Sequence, residues 1–277
     1  RHCRSLRVLR VMIFKKGNPG CPCCNCPCSC YKFDDDATDC AGNRDLTATS
    51  AEYVTGKLDK AAKFNGSSYY EHADHCCYRL GPDGIAVWFW IHPDYAASYN
   101  YGGAIEPEGV ISKGAMGQTG GTGKYDFDGE WGVFFDFTST HPSFVGQLFF
   151  VVGNGDASGL LGDVNYVSSG LTQNTWTFYY FWVSIEDGKL YLSVNGAAST
   201  SANLTGTQTL TSDKPLHIGQ NTDGKKLGEQ TNGGVARPIL IDNVGFCRSI
   251  KSEDCMEARA SKLYNSGTGL ACSNGGM

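Results

Sequence analysis

Charge is scarce in this 277-residue chain: Asp, Glu, Lys and Arg together make up 18% of it, and the net charge is −5. No broad basic field exists, which removes the electrostatic basis for nucleic-acid binding. Long apolar runs are missing too. No stretch of 18 apolar residues occurs, so nothing in the sequence reads as a membrane-spanning helix. A secretory signal is not visible either, because the apolar run at 11–14 is short and no small-residue cleavage site follows it. The basic stretch RHCRSLRVLRV at the start reads either as an arm for an acidic partner or as residues ahead of a start at Met12.

What is abundant is glycine, 36 residues, alongside many Ser, Thr and Asn. That profile belongs to a loop-rich, all-β, extracytoplasmic protein. Apolar runs predict strands over 61–64, 85–91, 109–113, 131–137, 147–152, 176–185, 189–194, 215–218 and 238–246, separated by Gly, Asn, Asp, Ser and Pro clusters. The run IAVWFWI at 85–91 is apolar on both faces and predicts a central strand covered on both sides. One helix is predicted near the end. Ser252 caps it, Glu253 and Asp254 suit its positive pole, Met256, Ala260 and Leu263 share a face, and Gly267 ends it.

The segment WTFYYFWVSIEDGKLYLSVNG carries the most information. Asp187-Gly188 predicts a two-residue hairpin turn, setting Val183 opposite Leu192 and Phe181 opposite Val194. One face is then core. The other carries Tyr180, Trp182, Tyr191 and Asn195, flat rings beside hydroxyl and amide groups, as glycan recognition requires. If that face is open, Trp182→Ala reduces glycan binding and leaves the fold intact; if loops cover it, the rings simply pack.

Thirteen cysteines are present, and six of them, Cys21, Cys23, Cys24, Cys26, Cys28 and Cys30, fall in GCPCCNCPCSCY. The odd total leaves at least one without an intrachain partner. Pro22 and Pro27 oppose helix and central-strand pairing, so the stretch reads as an extended strap. Its thiols suit disulfides, within the strap or to a neighbouring subunit, or a soft ion such as zinc or copper. Cys247 and Cys255, separated by a short bend, are a second candidate disulfide. Two decoys carry less. GQTGGTGKY has the wrong spacing for a phosphate loop and reads as a mobile surface loop. EHADHCCY lacks a second ligand pair at zinc-finger spacing.

YKFDDDATDCAGNRDLT, TGKLDKAAKFNGSSYYE, IAVWFWIHP, the hairpin segment, PLHIG and ILIDNVGFCRSIKSEDCMEARASKLYNSGTG occur in this order, and together they resemble the laminin-G-like, concanavalin A-like jelly-roll domain. The resemblance runs from about Tyr31 to Gly269. It implies a sandwich of two antiparallel sheets with a short C-terminal helix, comprising residues 31–277, behind an extension of residues 1–30 that serves as anchor or assembly strap. It also implies a structural calcium held by Asp242 and the Asn65-Gly66 loop, and it brings Cys40 and Cys272, at the two ends of the domain, near each other. Hydrolases of this fold carry E-x-D-x-E or E-x-D-x-x-E on one strand, which this chain lacks. Its nearest run, DFDGE at 126–130, begins with Asp and contains a Gly that suggests a turn.

A non-enzymatic protein is expected, extracellular, cell-surface or virion-borne. Its partners would be a glycan or cell-surface protein, and, through the strap, a capsid, fibre, envelope or sister subunit. A free lectin module is the alternative, and a glycoside hydrolase a more remote one.

Overall fold

The computed structural model describes residues 28–94, 107–119, 124–136, 146–153, 165–206, 208, 212–229, 237–248, 250 and 252–270. In chain order the strands are β1 (Ser29–Tyr31), β2 (Thr47–Thr49), β3 (Tyr53–Thr55), β4 (Lys60–Phe64), β5 (Tyr69–His72), β6 (Ile85–Pro93), β7 (Glu108–Thr119), β8 (Lys124–Asp136), β9 (Gln147–Val152), β10 (Asn165–Gly170), β11 (Thr177–Ser184), β12 (Lys189–Val194), β13 (Thr200–Asn203), β14 (Leu216–Ile218) and β15 (Ile239–Cys247). One α-helix, α1 (Glu253–Tyr264), follows them.

All nine strands predicted from apolar runs are present. They assemble into two antiparallel sheets, one ordered β13-β12-β11-β6-β15-β4-β3 with β1 added to β15, the other ordered β10-β9-β8-β7-β14-β5-β2. The chain is thus a two-sheet β-sandwich with a short C-terminal helix. Phe89, Phe181, Trp131, Phe150, Ile218 and Phe246 point between the sheets. Each such side chain contributes about 1.5–3 kcal/mol by leaving water.

The central strand β6 is covered on both sides, as its composition requires. Val87, Phe89 and Ile91 join the inter-sheet core, while Ala86, Trp88 and Trp90 lie beneath Met256, Ala260 and Leu263 of α1. The helix stops earlier than Gly267: Asn265 adopts the left-handed conformation (φ 48°) and its N–H bonds to Ser261 O, a termination Asn tolerates nearly as well as Gly.

The β11–β12 hairpin differs from expectation by two residues. Ser184 pairs with Lys189, Val183 with Leu190 and Phe181 with Leu192, leaving a four-residue connection. The Ser184 hydroxyl accepts from Asp187 N (3.1 Å), which stabilises this longer turn. A slip of two leaves every side chain on its expected face.

The N-terminal boundary is corrected. Residues 28–30 belong to the sandwich: Cys28 N donates to Phe246 O (2.8 Å), β1 pairs with β15, and Cys28 and Cys30 are buried. Cys21, Cys23, Cys24 and Cys26 lie outside the described residues. Cys30, Cys76 and Cys247 are disulfide-bonded. The Cys247–Cys255 pairing does not occur. Helix α1 turns Met256, Ala260 and Leu263 toward the sheet, which leaves Cys255 an exposed free thiol, whereas Cys247 is buried beneath. Cys40 is a free thiol, and Cys272 lies outside the described residues.

The run 117–125 also differs from its reading as a surface loop. Its described part extends the β7–β8 ladder, with Thr119 pairing Lys124.

Candidate ligand-binding face

The rings expected to form a glycan platform form a second core instead. Tyr180, Trp182 and Tyr191 are buried with Trp88, Trp90, Phe178 and the inner side of α1. Trp182 stacks on Tyr191 at 4.8 Å between centroids. Asn195 is a turn residue: its φ is 52°, and its Oδ1 accepts from Phe178 N (2.9 Å). The three rings do not make an open site, because α1 occupies the face they share, and Asn195 is left exposed in the turn.

The calcium candidates are separated as well. Asp242 is buried on β15, where its Oδ2 accepts from Lys57 N and Leu58 N (2.9 and 2.8 Å) and its Oδ1 from the Asn243 amide (2.7 Å). Asn65 is bonded to Ser67, and Gly66 N to Leu227 O. A cation needs several converging oxygens, whereas Asp242 is ringed by N–H donors, so these residues do not fit the ion. Among the described residues no group of three or more His, Cys, Asp or Glu converges in a way that would hold a metal.

Burial, opposed by the N–H groups of Leu58 and Lys57 and by Asn243, raises the Asp242 carboxyl to about 7. A folded-state value above the unfolded one means that the native state holds the extra proton between about pH 4 and 7. Asp242 therefore removes stability as pH rises through that window, by up to about 4 kcal/mol. Asp242→Asn, whose carbonyl can keep both backbone bonds, is expected to flatten the fall in melting temperature between pH 5 and 8; an unchanged slope in scanning calorimetry would assign it to other groups.

The acidic run 126–130 lies in β8 and is not a turn. The Asp128 side chain is 80% exposed and bound to Lys214, while Glu130 is fully buried against Lys113. The two carboxylates share no accessible site of the kind a retaining hydrolase uses.

The outer face of the other sheet is open at its two ends, where Tyr166, Glu71 and Thr47 reach solvent, whereas Val151, Gly132, Ser112 and His217 between them are buried. Because inward residues alternate with outward ones, pairing draws a continuous outward row across six of its neighbouring strand pairs: Tyr166, Val151, Gly132, Ser112, His217, Glu71 and Thr47. A parallel row holds Ser168, Phe149 and Phe134. At the β9–β10 end, Tyr166 is 52% exposed, the most exposed large apolar residue among those described, and its ring lies 5.7 Å from that of Phe149. Phe127 packs at 5.7 Å against buried Phe134 and firms the floor.

The middle of the face is crossed by the segment 220–226. Ser112 Oγ donates to Gln220 O, and Thr222 N to Gly114 O. Gly109 is required there, since a Cβ would lie 2.2 Å from the Gln220 carbonyl carbon. Asn221 Oδ1 accepts from Lys225 N (2.9 Å), and buried Glu108 accepts from Gly228 N (2.8 Å), which fixes the segment to the sheet. It delivers Lys226 Nζ to 5.7 Å above the Tyr69 ring. At this β2–β5–β14 end, His217 Nε2 lies 3.5 Å from Glu71 Oε2, and the Glu71 side chain remains 46% exposed. Burial pushes the His217 imidazole below its ordinary value despite the pull of Glu71.

None of these outward residues was singled out from sequence, although NYVSS and SSYYEH both show the out-in-out alternation that marks a half-exposed strand.

No family model matches the sequence, and no curated protein is recognisably similar to it. Solved structures do resemble it. The binding domain of Paraclostridial Mosquitocidal Protein 1 matches 86% of this chain at 13% identity and a TM-score of 0.56. The binding domain of botulinum neurotoxin DC, solved with rat synaptotagmin II, matches 86% at 11% identity and 0.57. Domain 4 of AbnA, a GH43 extracellular arabinanase from Geobacillus stearothermophilus, solved with arabinotriose, matches 84% at 16% identity and 0.52. The chain spans about half of each toxin binding domain, 51% and 50%, and 97% of the arabinanase domain. At these identities the likeness is one of fold, a two-sheet antiparallel β architecture shared with domains that bind carbohydrates and protein receptors.

Proposed function

We propose that this chain is a non-catalytic recognition module of the laminin-G-like, concanavalin A-like kind, which binds a glycan or a surface receptor through the outer face of the β10-to-β2 sheet. The observation that carries this reading is the exposed Tyr166 ring beside Phe149 on a sheet face that α1 does not cover. An amphipathic ring in that position offers stacking area at little conformational cost. The resemblance to binding domains, one of them solved with arabinotriose and another with synaptotagmin II, supports it. The buried, lysine-bound Glu130 argues against the hydrolase alternative.

The module works outside the cell, on a cell surface or virion. Its Cys-rich N-terminal segment fastens it to a capsid, fibre, envelope or sister subunit. That fastening role is favoured by one observation: the segment leads directly into β1, which is hydrogen-bonded into the sandwich and carries the disulfide-bonded Cys30.

Tyr166→Thr retains strand propensity and removes the ring. It is expected to weaken capture of glycan or receptor at least tenfold, as loss of a central aromatic anchor does, with little change in melting temperature. Undiminished binding by this variant on a glycan array and in a receptor pull-down would place the ligand elsewhere.

A further inference from the structure

The polar end of the face has a composition of its own. Tyr69 and Glu71 are alternate residues of β5, so their side chains leave the same face about 7 Å apart, a separation that one sugar ring and its hydroxyls can bridge. Thr49 pairs with Tyr69 and Thr47 with Glu71, which sets two hydroxyls alongside. Lys226 stands over the Tyr69 ring, and His217 forms the floor behind Glu71. Glu71 supplies acceptors only, Lys226 donors only, and the threonines both. One negative and one positive group within a single patch disfavour any ligand with a strong net charge, because whichever charge it carries meets a like charge. Hydroxyls, which donate and accept, satisfy every group present.

We propose that Tyr69, Glu71, Lys226, Thr47 and Thr49 form a subsite for a neutral pyranose or furanose unit, with the Glu71 carboxylate taking two neighbouring hydroxyls and Tyr69 lying against the sugar's C–H face. This rests on the recognition role proposed above and names the ligand class for the second end of the same face. The two ends are separated by five strand spacings, about 24 Å, so a glycan filling both is an oligosaccharide, and a short one fills either end alone.

The test uses the full chain on an array of neutral hexose- and pentose-terminated oligosaccharides with sulfated counterparts, followed by titration of the best neutral binder. Wild type is expected to prefer the neutral set. Glu71→Gln and Tyr69→Leu are each expected to lose about tenfold or more in affinity, the scale of a lost charged hydrogen bond or aromatic anchor, with melting temperatures near wild type. Preference for sulfated glycans, or wild-type affinity in both variants, overturns the subsite. If Tyr166→Thr abolishes binding while Glu71→Gln and Tyr69→Leu retain it, the subsite is wrong and the face reading stands. If none of the three alters glycan binding, both readings fall. Silence of the wild type across the array overturns the subsite and leaves the face to a protein receptor.

Discussion

Trp182→Ala is expected to destabilise the domain by about 3–5 kcal/mol, the cost of emptying a large aromatic site in a core that cannot collapse around it. The ring is wholly buried, stacked on Tyr191 and tilted against Tyr180 at 5.6 Å. Above it sits α1, whose mean hydropathy is low and whose apolar side is narrow: Met256, Ala260 and Leu263. Such a helix has little stability of its own and depends on the surface it covers. The damage therefore extends beyond the cavity. Amide exchange is expected to accelerate through 253–264 before it does so in the inter-sheet strands, and the melting temperature to drop by about 10 °C. A variant that keeps wild-type stability and loses ligand binding would restore Trp182 to the binding surface and remove the second core.

The same residue shows where reading the sequence succeeds and where it stops. Alternation along 177–184 assigns Tyr179, Phe181 and Val183 to one face and Tyr180 and Trp182 to the other, and the structure agrees. Even the two-residue register slip at the hairpin leaves those faces intact. Periodicity gives the faces of a strand, but not what lies over each face. The helix was legible from its first-turn acids and apolar spacing, while its docking site depends on a long-range packing choice that no local pattern encodes. Strands β2, β3, β5, β10 and β13 were missed for another reason. They are three to six residues long and rich in Thr, Ser and Tyr, with one or two inward residues each, so their apolar signal is faint. Side chains that stay outside the core are the ones left available to a ligand, and the missed strands β5, beside the edge strand β2, and β10, itself an edge, carry Tyr69, Glu71 and Tyr166. The strap boundary was misplaced because the Cys-Pro pattern hides the first strand: Cys28, just ahead of β1, is a free thiol buried with Tyr31, Tyr78 and Phe246 and behaves as a small apolar residue, while Cys30 within β1 is buried and disulfide-bonded.

Lys113→Met is the second variant expected to have a large effect, and its signature is a pH profile. Lys113 is fully buried in β7, where its ammonium meets Asp74 on one side and Glu130, at 3.3 Å, on the other. Glu130 also accepts from Leu80 N (2.7 Å) and from Ser212 N and Oγ (2.6 and 2.9 Å), while Asp74 binds Arg79 as well. The cluster ties the β7–β8 pair to the segment after the Cys76–Tyr78 turn and to the approach to β14. A norleucine-like side chain fills the volume but leaves the buried Glu130 carboxylate without its cation, a loss of about 3–5 kcal/mol near neutral pH. Burial alone would raise the Asp74 carboxyl; hydrogen bonds from Arg79 and Lys113 outweigh it and hold it below its ordinary value. A depressed folded-state value means stability that is present above the unfolded value, about pH 4, and lost as pH falls through the folded one. Wild type therefore loses this contribution in acid, and Lys113→Met has less of it to lose. The gap in melting temperature between the two proteins is expected to be widest near pH 7 and to narrow below about pH 4, where Asp74 takes up its proton. A gap that stays constant across that range would show that Met disturbs packing alone and that the charges in this cluster contribute nothing to holding the second sheet together.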